Sequence, residues 1–292
     1  MRATRHCMSL AALVVLSSGF IGSPSVETAF AEDSGASLRR IVATYRVDVG
    51  GFNLGDFRLT TVLRGSDYEM QGEGQFSMMG GLLYAWHGTT ASKGKVTDAG
   101  PEPATYALNY NGSDESQRLR VIFDNGGVTH VSVAPVSEPR PHVVPVTKEQ
   151  LAGVLDPVTA IFLFARSDNP NGDLKVCDHT VPVFDGEQRY DLVLKPKRTV
   201  KLQKDASTGY SGFAAVCRVS FKPISGYQRD DPDIRTMSQS NDIEVWLISL
   251  PGTGMYVPYR ITLPTSSGNA SATSSSFKIQ TGAMRASLDA PH

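Results

Sequence analysis

Few residues in this chain of 292 have the type and spacing that chemistry needs. The densest group is Cys177-Asp178-His179, which holds a thiol, a carboxylate and an imidazole, the donor types that zinc takes. The remaining histidines, His87, His130, His142 and His292 with His6 near the start, stand at no metal-ligand spacing. Cys177 also has a better use. Once an N-terminal leader carrying Cys7 is removed, Cys177 and Cys217 are the only thiols, and two cysteines in an oxidising compartment pair. Closing that loop is worth about 4 kcal/mol in the chain-entropy model.

The oxygen-rich stretches are weaker still. Asp168-Asn169-Pro170-Asn171-Gly172-Asp173 has the outline of a calcium loop, but Pro170 falls where an oxygen ligand is needed and the twelfth position is His179, not glutamate. It reads as a turn-rich connection. Asp230, Asp231 and Asp233 read as part of a solvated, proline-containing loop from Arg229 to Arg235. Ser211, in Gly209-Tyr210-Ser211-Gly212-Phe213, lacks the Gly-x-Ser-x-Gly spacing and the strand-to-helix context of an esterase nucleophile, so it belongs to a hairpin turn. No glycine-rich phosphate loop precedes a helix, and no pair of carboxylates is set for acid–base work. The expectation is a protein without enzymatic activity, metal or cofactor.

What remains is apolar. Asp156 suits the cap of a helix and Pro157 its first turn, where a missing N–H costs nothing. Ala160-Ile161-Phe162-Leu163-Phe164-Ala165 follow without a charge, so this helix has no wet face and should be buried on nearly every side. Phe76, Met78, Met79, Leu82, Leu83 and Trp86 cluster in a glycine-rich segment. A curved sheet facing the helix would enclose a groove walled by Phe76, Met78, Met79, Leu82, Trp86, Ile161, Phe162 and Phe164, and methionine adapts to irregular apolar ligands. The competing reading is a filled core, as close packing of interiors favours.

The elements that must hold this groove are strands. Tyr45, Val47 and Val49 alternate with polar residues, as do Phe57 and Leu59, then Tyr68 and Met70, then Tyr106, Leu108 and Tyr110, then Leu119, Val121 and Phe123. Glycines from Gly72 to Gly81 suggest bulges and strong curvature. Leu82 to Thr90 reads as a strand, Lys93-Gly94-Lys95 as a turn, Pro101 and Pro103 as punctuation, and Asn111-Gly112 as a hairpin. Val128 to Val133 is one more strand. Pro135, Pro139, Pro141 and Pro145 then stiffen a connection to Thr147-Lys148-Glu149-Gln150, a capping box, with a short apolar stripe of Leu151, Val154 and Leu155 as a first helix of a pair. Strands resume around Cys177, turn at Gly186, and continue through Arg189 to Leu194, Cys217 to Phe221, Ile243 to Leu247, Val257 to Leu263, and Phe277 to Ile279. The predicted fold is mostly β, a curved antiparallel sheet or half-barrel with one or two short helices packed in its concave side.

The N-terminus reads as a secretory signal peptide: Arg2 and Arg5, an apolar run from Leu10 to Leu16 too short to span a bilayer, and Ala29-Phe30-Ala31 as the cleavage site. Cleavage after Ala31 leaves a periplasmic chain, 32–292, with a single β-domain whose core spans about 40–281. Arg2, Arg5 and Glu27 leave with the leader, which reduces 28 basic and 29 acidic residues to 26 and 28. With a net charge near −2 and no basic run along the sequence, nucleic acid is an unsuitable partner and no stretch tracks an anionic membrane. The expected partners are a lipid or lipoprotein in the concavity, or an envelope protein recognised through a sheet edge or the Arg229–Arg235 loop. A hydrolase acting through Ser211 is the third reading.

A resemblance sharpens this. Leu155-Asp156-Pro157-Val158-Thr159-Ala160 before the helix, Cys177, then Val181-Pro182-Val183-Phe184-Asp185-Gly186-Glu187-Gln188-Arg189-Tyr190-Asp191-Leu192, followed by Tyr210-Ser211-Gly212, Cys217, Glu244-Val245-Trp246-Leu247 and Val257-Pro258-Tyr259-Arg260-Ile261, resembles the exported bacterial family known as domain of unknown function 3108. The likeness runs from about Tyr45 to Gln280. It implies a periplasmic, mostly antiparallel β-protein, similar in outline to lipoprotein-carrier half-barrels whose concave face holds helices, and it implies no catalytic residues.

Overall fold

The alternation of apolar and polar residues resolves into strands throughout. The computed structural model describes residues 38–78, 84–112, 116–136, 142–162, 165–203, 208, 210–250, 253–265 and 268–282. The leader and its cleavage site, Met79, Leu82, Leu83, Phe164 and His292 lie outside the described residues, and Met78 enters only through its backbone. The elements are β1 (Leu38–Val49), β2 (Phe52–Arg64), β3 (Asp67–Met78), β4 (Tyr84–Thr97), β5 (Gly100–Gly112), β6 (Ser116–Asp124), β7 (Gly127–Ala134), α1 (Pro157–Phe162), β8 (His179–Phe184), β9 (Arg189–Leu202), β10 (Gly212–Ser225), α2 (Pro232–Gln239), β11 (Glu244–Ser249), β12 (Tyr256–Thr265) and β13 (Gly268–Gly282). The strands form one sheet in the order β7-β6-β5-β4-β3-β2-β1-β13-β12-β11-β10-β9-β8. Two antiparallel meanders are therefore joined where the first strand pairs with the last. No helix among the described residues is long and apolar enough to cross a membrane.

Register carries one face through the first meander. Tyr45 stands opposite Phe57, Phe57 opposite Gly74, Gly74 opposite Gly88, and Gly88 opposite Tyr110. Ile41, Ala43, Tyr45, Leu59, Met70, Tyr106 and Val121 on this face are buried. In the second meander Ala214, Ala215, Val216 and Cys217 are buried in succession, as are Leu247, Ile248 and Ser249, so both faces of the sheet are covered there. The segment leading to Cys177 supplies part of that cover. Its Ala165 and Gly172 carbonyls accept bonds from Tyr256 N–H (2.9 Å) and the Thr199 hydroxyl (3.1 Å), and Cys177 is bonded to Cys217 with Cα atoms 5.2 Å apart.

Edges β7 and β8 do not pair with each other. A strap, residues 152–155, crosses between them instead: Gly153 N–H donates to Gly126 O at 2.6 Å, Leu155 N–H to Pro182 O at 2.9 Å, and Phe184 N–H returns to Leu155 O at 2.9 Å. The expected first helix of a pair is thus a 3₁₀ turn, Lys148–Leu151, followed by extended chain. Two sheet edges offer the strap's backbone partners that a short isolated helix would lack.

Other boundaries also differ from the sequence reading. Around Cys177 the chain makes a 3₁₀ turn, Leu174–Cys177, capped by Asp173, whose carboxylate accepts Lys175 N–H, and the strand begins only at His179. The Arg229–Arg235 stretch is a loop only as far as Asp231, which caps α2 by accepting the N–H groups of Asp233 and Ile234. Lys93-Gly94-Lys95 is a bulge inside β4, and Pro101 and Pro103 lie within β5 opposite it, so the turn comes at Asp98-Ala99. Asn111 and Gly112 end β5, with Asn111 opposite Ser116 of β6. Gly72 and Gly74 cause no register shift. They make room for rings: a Cβ at Gly72 would lie 2.6 Å from Phe57 Cζ, and one at Gly74 would lie 2.9 Å from Phe76 Cε2.

Candidate functional site

α1 enters the interior on a polar anchor. Asp156 is 0 % exposed; its Oδ1 accepts the N–H groups of Val158 and Thr159, each at 3.0 Å, and its Oδ2 accepts the Ser92 hydroxyl at 2.8 Å. The Ser92 and Thr159 hydroxyl oxygens are 2.9 Å apart, as are those of Thr159 and Tyr68. Ser92 has one proton and gives it to the carboxylate, so Thr159 must donate to Ser92 and Tyr68 to Thr159. With Asp156 as the carboxylate, the chain of donors runs one way, from Tyr68 through Thr159 and Ser92 to Asp156. Burial pushes the Asp156 carboxyl up from its ordinary value against the pull of these hydrogen bonds, and burial raises the Tyr68 hydroxyl as well. This cluster positions the helix, and its carboxylate does not line the cleft beside it.

That cleft is the candidate site. Tyr45, Val47, Phe57 and Phe76 form one wall, Pro157, Val158, Ile161 and Phe162 of α1 another, and Ile261 and Ala272 close the side, around about 250 Å³ of open space. Its walls are apolar. The Tyr45 hydroxyl is turned away to donate to Pro258 O at 2.9 Å, while its ring lies 5.7 Å from that of Phe162. Of the groove residues expected from sequence, Phe76, Ile161 and Phe162 come together here. Trp86 stands one strand further on, stacked at 5.1 Å on Phe76 and at 5.9 Å on Tyr110, and its ring occupies the space a Cβ at Gly88 would need. Trp86 thus backs the wall without forming it. Met79, Leu82 and Phe164 are outside the described residues. Tyr45, Val47 and Phe57 were legible as the inner positions of the first two strands, whereas Ile261 and Ala272 required the closing register.

A larger depression of about 910 Å³ lies over β2 to β5 among Asp56, Arg58, Glu73, Gln75 and His87. These residues alternate with the inner ones, but Phe76 and Trp86 line it as well, so its walls mix charged and aromatic side chains. The remaining sequence candidates are accounted for individually. Cys177 is in a disulfide, so it offers no thiolate to a metal beside His179. Asp173 accepts the Ser167 hydroxyl at 2.6 Å and, with the Asn169 side chain taking Asn171 N–H, shapes the loop. Asp231 is a helix cap. Ser211 is exposed just ahead of β10. Among the described residues no three His, Cys, Asp or Glu side chains gather as a metal site.

Comparison with known proteins adds a family. The model of the family described as "Protein of unknown function (DUF3108)" matches residues 44–274. The chain belongs to this family. In this DUF3108 protein the matched span contains α1, the strap, the disulfide and the whole of the cleft wall. Among solved structures the chain is similar to a β-barrel-like protein of domain of unknown function DUF1849 from Brucella abortus, at 8% identity and a TM-score of 0.44, over 84% of this chain and 98% of that one. No curated protein matches it.

Proposed function

We propose that this DUF3108 protein is exported, loses its leader after Ala31, and serves in the periplasm as a non-enzymatic envelope protein that holds a hydrocarbon group in the cleft under α1. The observation that carries this reading is the composition of the cleft: about 250 Å³ walled by Tyr45, Val47, Phe57, Phe76, Ile161 and Phe162, with no charged group among its lining residues. That volume lies just below the usual range for small-molecule sites, roughly 300–1,000 Å³, so it suits one acyl chain or a single ring better than a bulky ligand. The leader and the paired cysteines fit an oxidising compartment.

The test is native mass spectrometry of gently purified protein, followed by removal of lipid and titration with a long-chain fatty acid. The expected result is one bound chain, and at least tenfold weaker uptake by Ala272→Phe, whose ring would fill the cleft, with melting unchanged or raised. A protein that carries no lipid and takes up none when offered would overturn the reading.

A further inference from the structure

No basic run exists along the sequence, yet the sheet assembles one across strands. Lys195 on β9 stands opposite Arg218 on β10, which stands opposite Glu244 on β11, and Trp246 on β11 stands opposite Arg260 on β12. Lys197 and Arg198 sit at the β9 bulge beside them. Two carboxylates answer these five cations. Glu244 takes both Lys197 and Arg198, the latter at 3.3 Å, and Asp178 takes Lys195 at 2.7 Å. Arg218 and Arg260 are exposed and have no ion-pair partner among the described residues. Like charges directly opposite on a sheet are destabilising and opposite charges stabilising, so Lys195 on one side of Arg218 offsets what Glu244 contributes on the other. Trp246 fixes the group: its indole N–H donates to Glu244 at 3.0 Å and the Arg198 guanidinium lies 5.3 Å over its ring.

We infer that this face docks on an anionic lipid bilayer. The whole chain has a formal charge of −1, so attraction is local and would orient the molecule. A sheet face presents cations side by side toward a plane of headgroups, and tryptophan beside arginine and lysine is the composition of membrane interfaces. Single-stranded nucleic acid fits less well, because it needs free aromatic faces for stacking and Trp246 has one face under Arg198.

The test uses the full mature chain in co-sedimentation with vesicles of phosphatidylglycerol mixed with phosphatidylcholine, against phosphatidylcholine alone, with heparin as a soluble polyanion. The expected result is binding to the anionic vesicles at low salt, loss of that binding at high salt, and little binding to phosphatidylcholine. Arg218→Gln should weaken it about fivefold, and Lys195→Gln with Arg218→Gln more than tenfold, with melting temperatures matching the parent. Equal binding to both vesicles, binding to heparin alone, no binding at low salt, or full binding by the double variant would each overturn the inference. Salt dependence of the unaltered chain decides the matter if a variant fails to fold.

Discussion

The two helices begin alike and end in different places. α1 starts Asp156-Pro157 and α2 starts Asp231-Pro232, and in each the aspartate Oδ1 accepts two backbone N–H groups of the first turn. Beyond the cap they diverge. α1 continues Val-Thr-Ala-Ile-Phe and buries Val158, Thr159, Ala160 and Phe162, while α2 continues Asp-Ile-Arg-Thr-Met-Ser-Gln and buries Ile234 alone. The cap starts a helix, and the residues after it decide whether the sheet takes it in. Burial adds a demand that α2 never meets, because the second oxygen of Asp156 must also be satisfied, and Ser92 does so from a strand 64 positions away.

Substitutions at the two caps should separate these roles. Asp156→Ala leaves the Ser92 hydroxyl and two backbone N–H groups unpaired inside the protein and should cost roughly 5 kcal/mol in chemical denaturation. Asp156→Asn should cost much less, since an amide can donate to Ser92 and reverse the donor chain toward Tyr68. Next in size, Cys177→Ser or Cys217→Ser should each cost about 4 kcal/mol by freeing the 40-residue loop in the unfolded state; unchanged melting in both would refute the staple's role. Ser92→Ala should cost roughly 2 kcal/mol and Tyr68→Phe roughly 1 kcal/mol, with the two effects coupled in a double-mutant cycle. A loss as small as that of Tyr68→Phe should come from Asp231→Ala, about 1 kcal/mol, and a loss equal to that of Asp156→Ala would erase the distinction between the helices.

Acid should report the same difference with a definite sign. Burial raises the Asp156 carboxyl above its ordinary 3.8, so the folded state holds that proton more tightly than the unfolded chain. Its contribution to stability is present in full below the unfolded value and is lost as pH rises through the folded one. Glu244 runs the other way: its hydrogen bonds from Lys197, Trp246 and Arg198 outweigh desolvation and bring it to about 2, so its contribution is present above its ordinary 4.5 and fades as pH falls through the folded value. The stability of Asp156→Asn relative to the parent should therefore improve as pH rises from about 4, with Asp185, also raised by burial, left as background in both proteins.

Much of this was legible in the sequence, and the remainder shares a cause. Period-two alternation marked most strands, the uncharged run after Asp156-Pro157 marked the plug, and cysteine number marked the disulfide, because each signal is local or a matter of count. The Asp231-Pro232 start carried the same cap signal as α1, but its acidic, polar sequence resembled a loop. The strap, the Ser92 and Tyr68 partners of Asp156, the Ile261 and Ala272 side of the cleft and the basic face all depend on which distant strands become neighbours. One-dimensional patterning holds no trace of that. The glycines at 72 and 74 were visible, but their purpose, space for aromatic rings, was set by residues across the sheet.

The cleft's occupancy can be read directly from the protein's two tryptophans. Trp86 stacks on Phe76, a wall of the cleft, while Trp246 lies in the basic face. A doxyl-labelled fatty acid titrated into delipidated Trp246→Phe protein should quench Trp86 fluorescence and saturate at a single equivalent, with little quenching in the Trp86→Phe protein. No quenching of Trp86, or quenching confined to Trp246, would contradict a hydrocarbon site under α1.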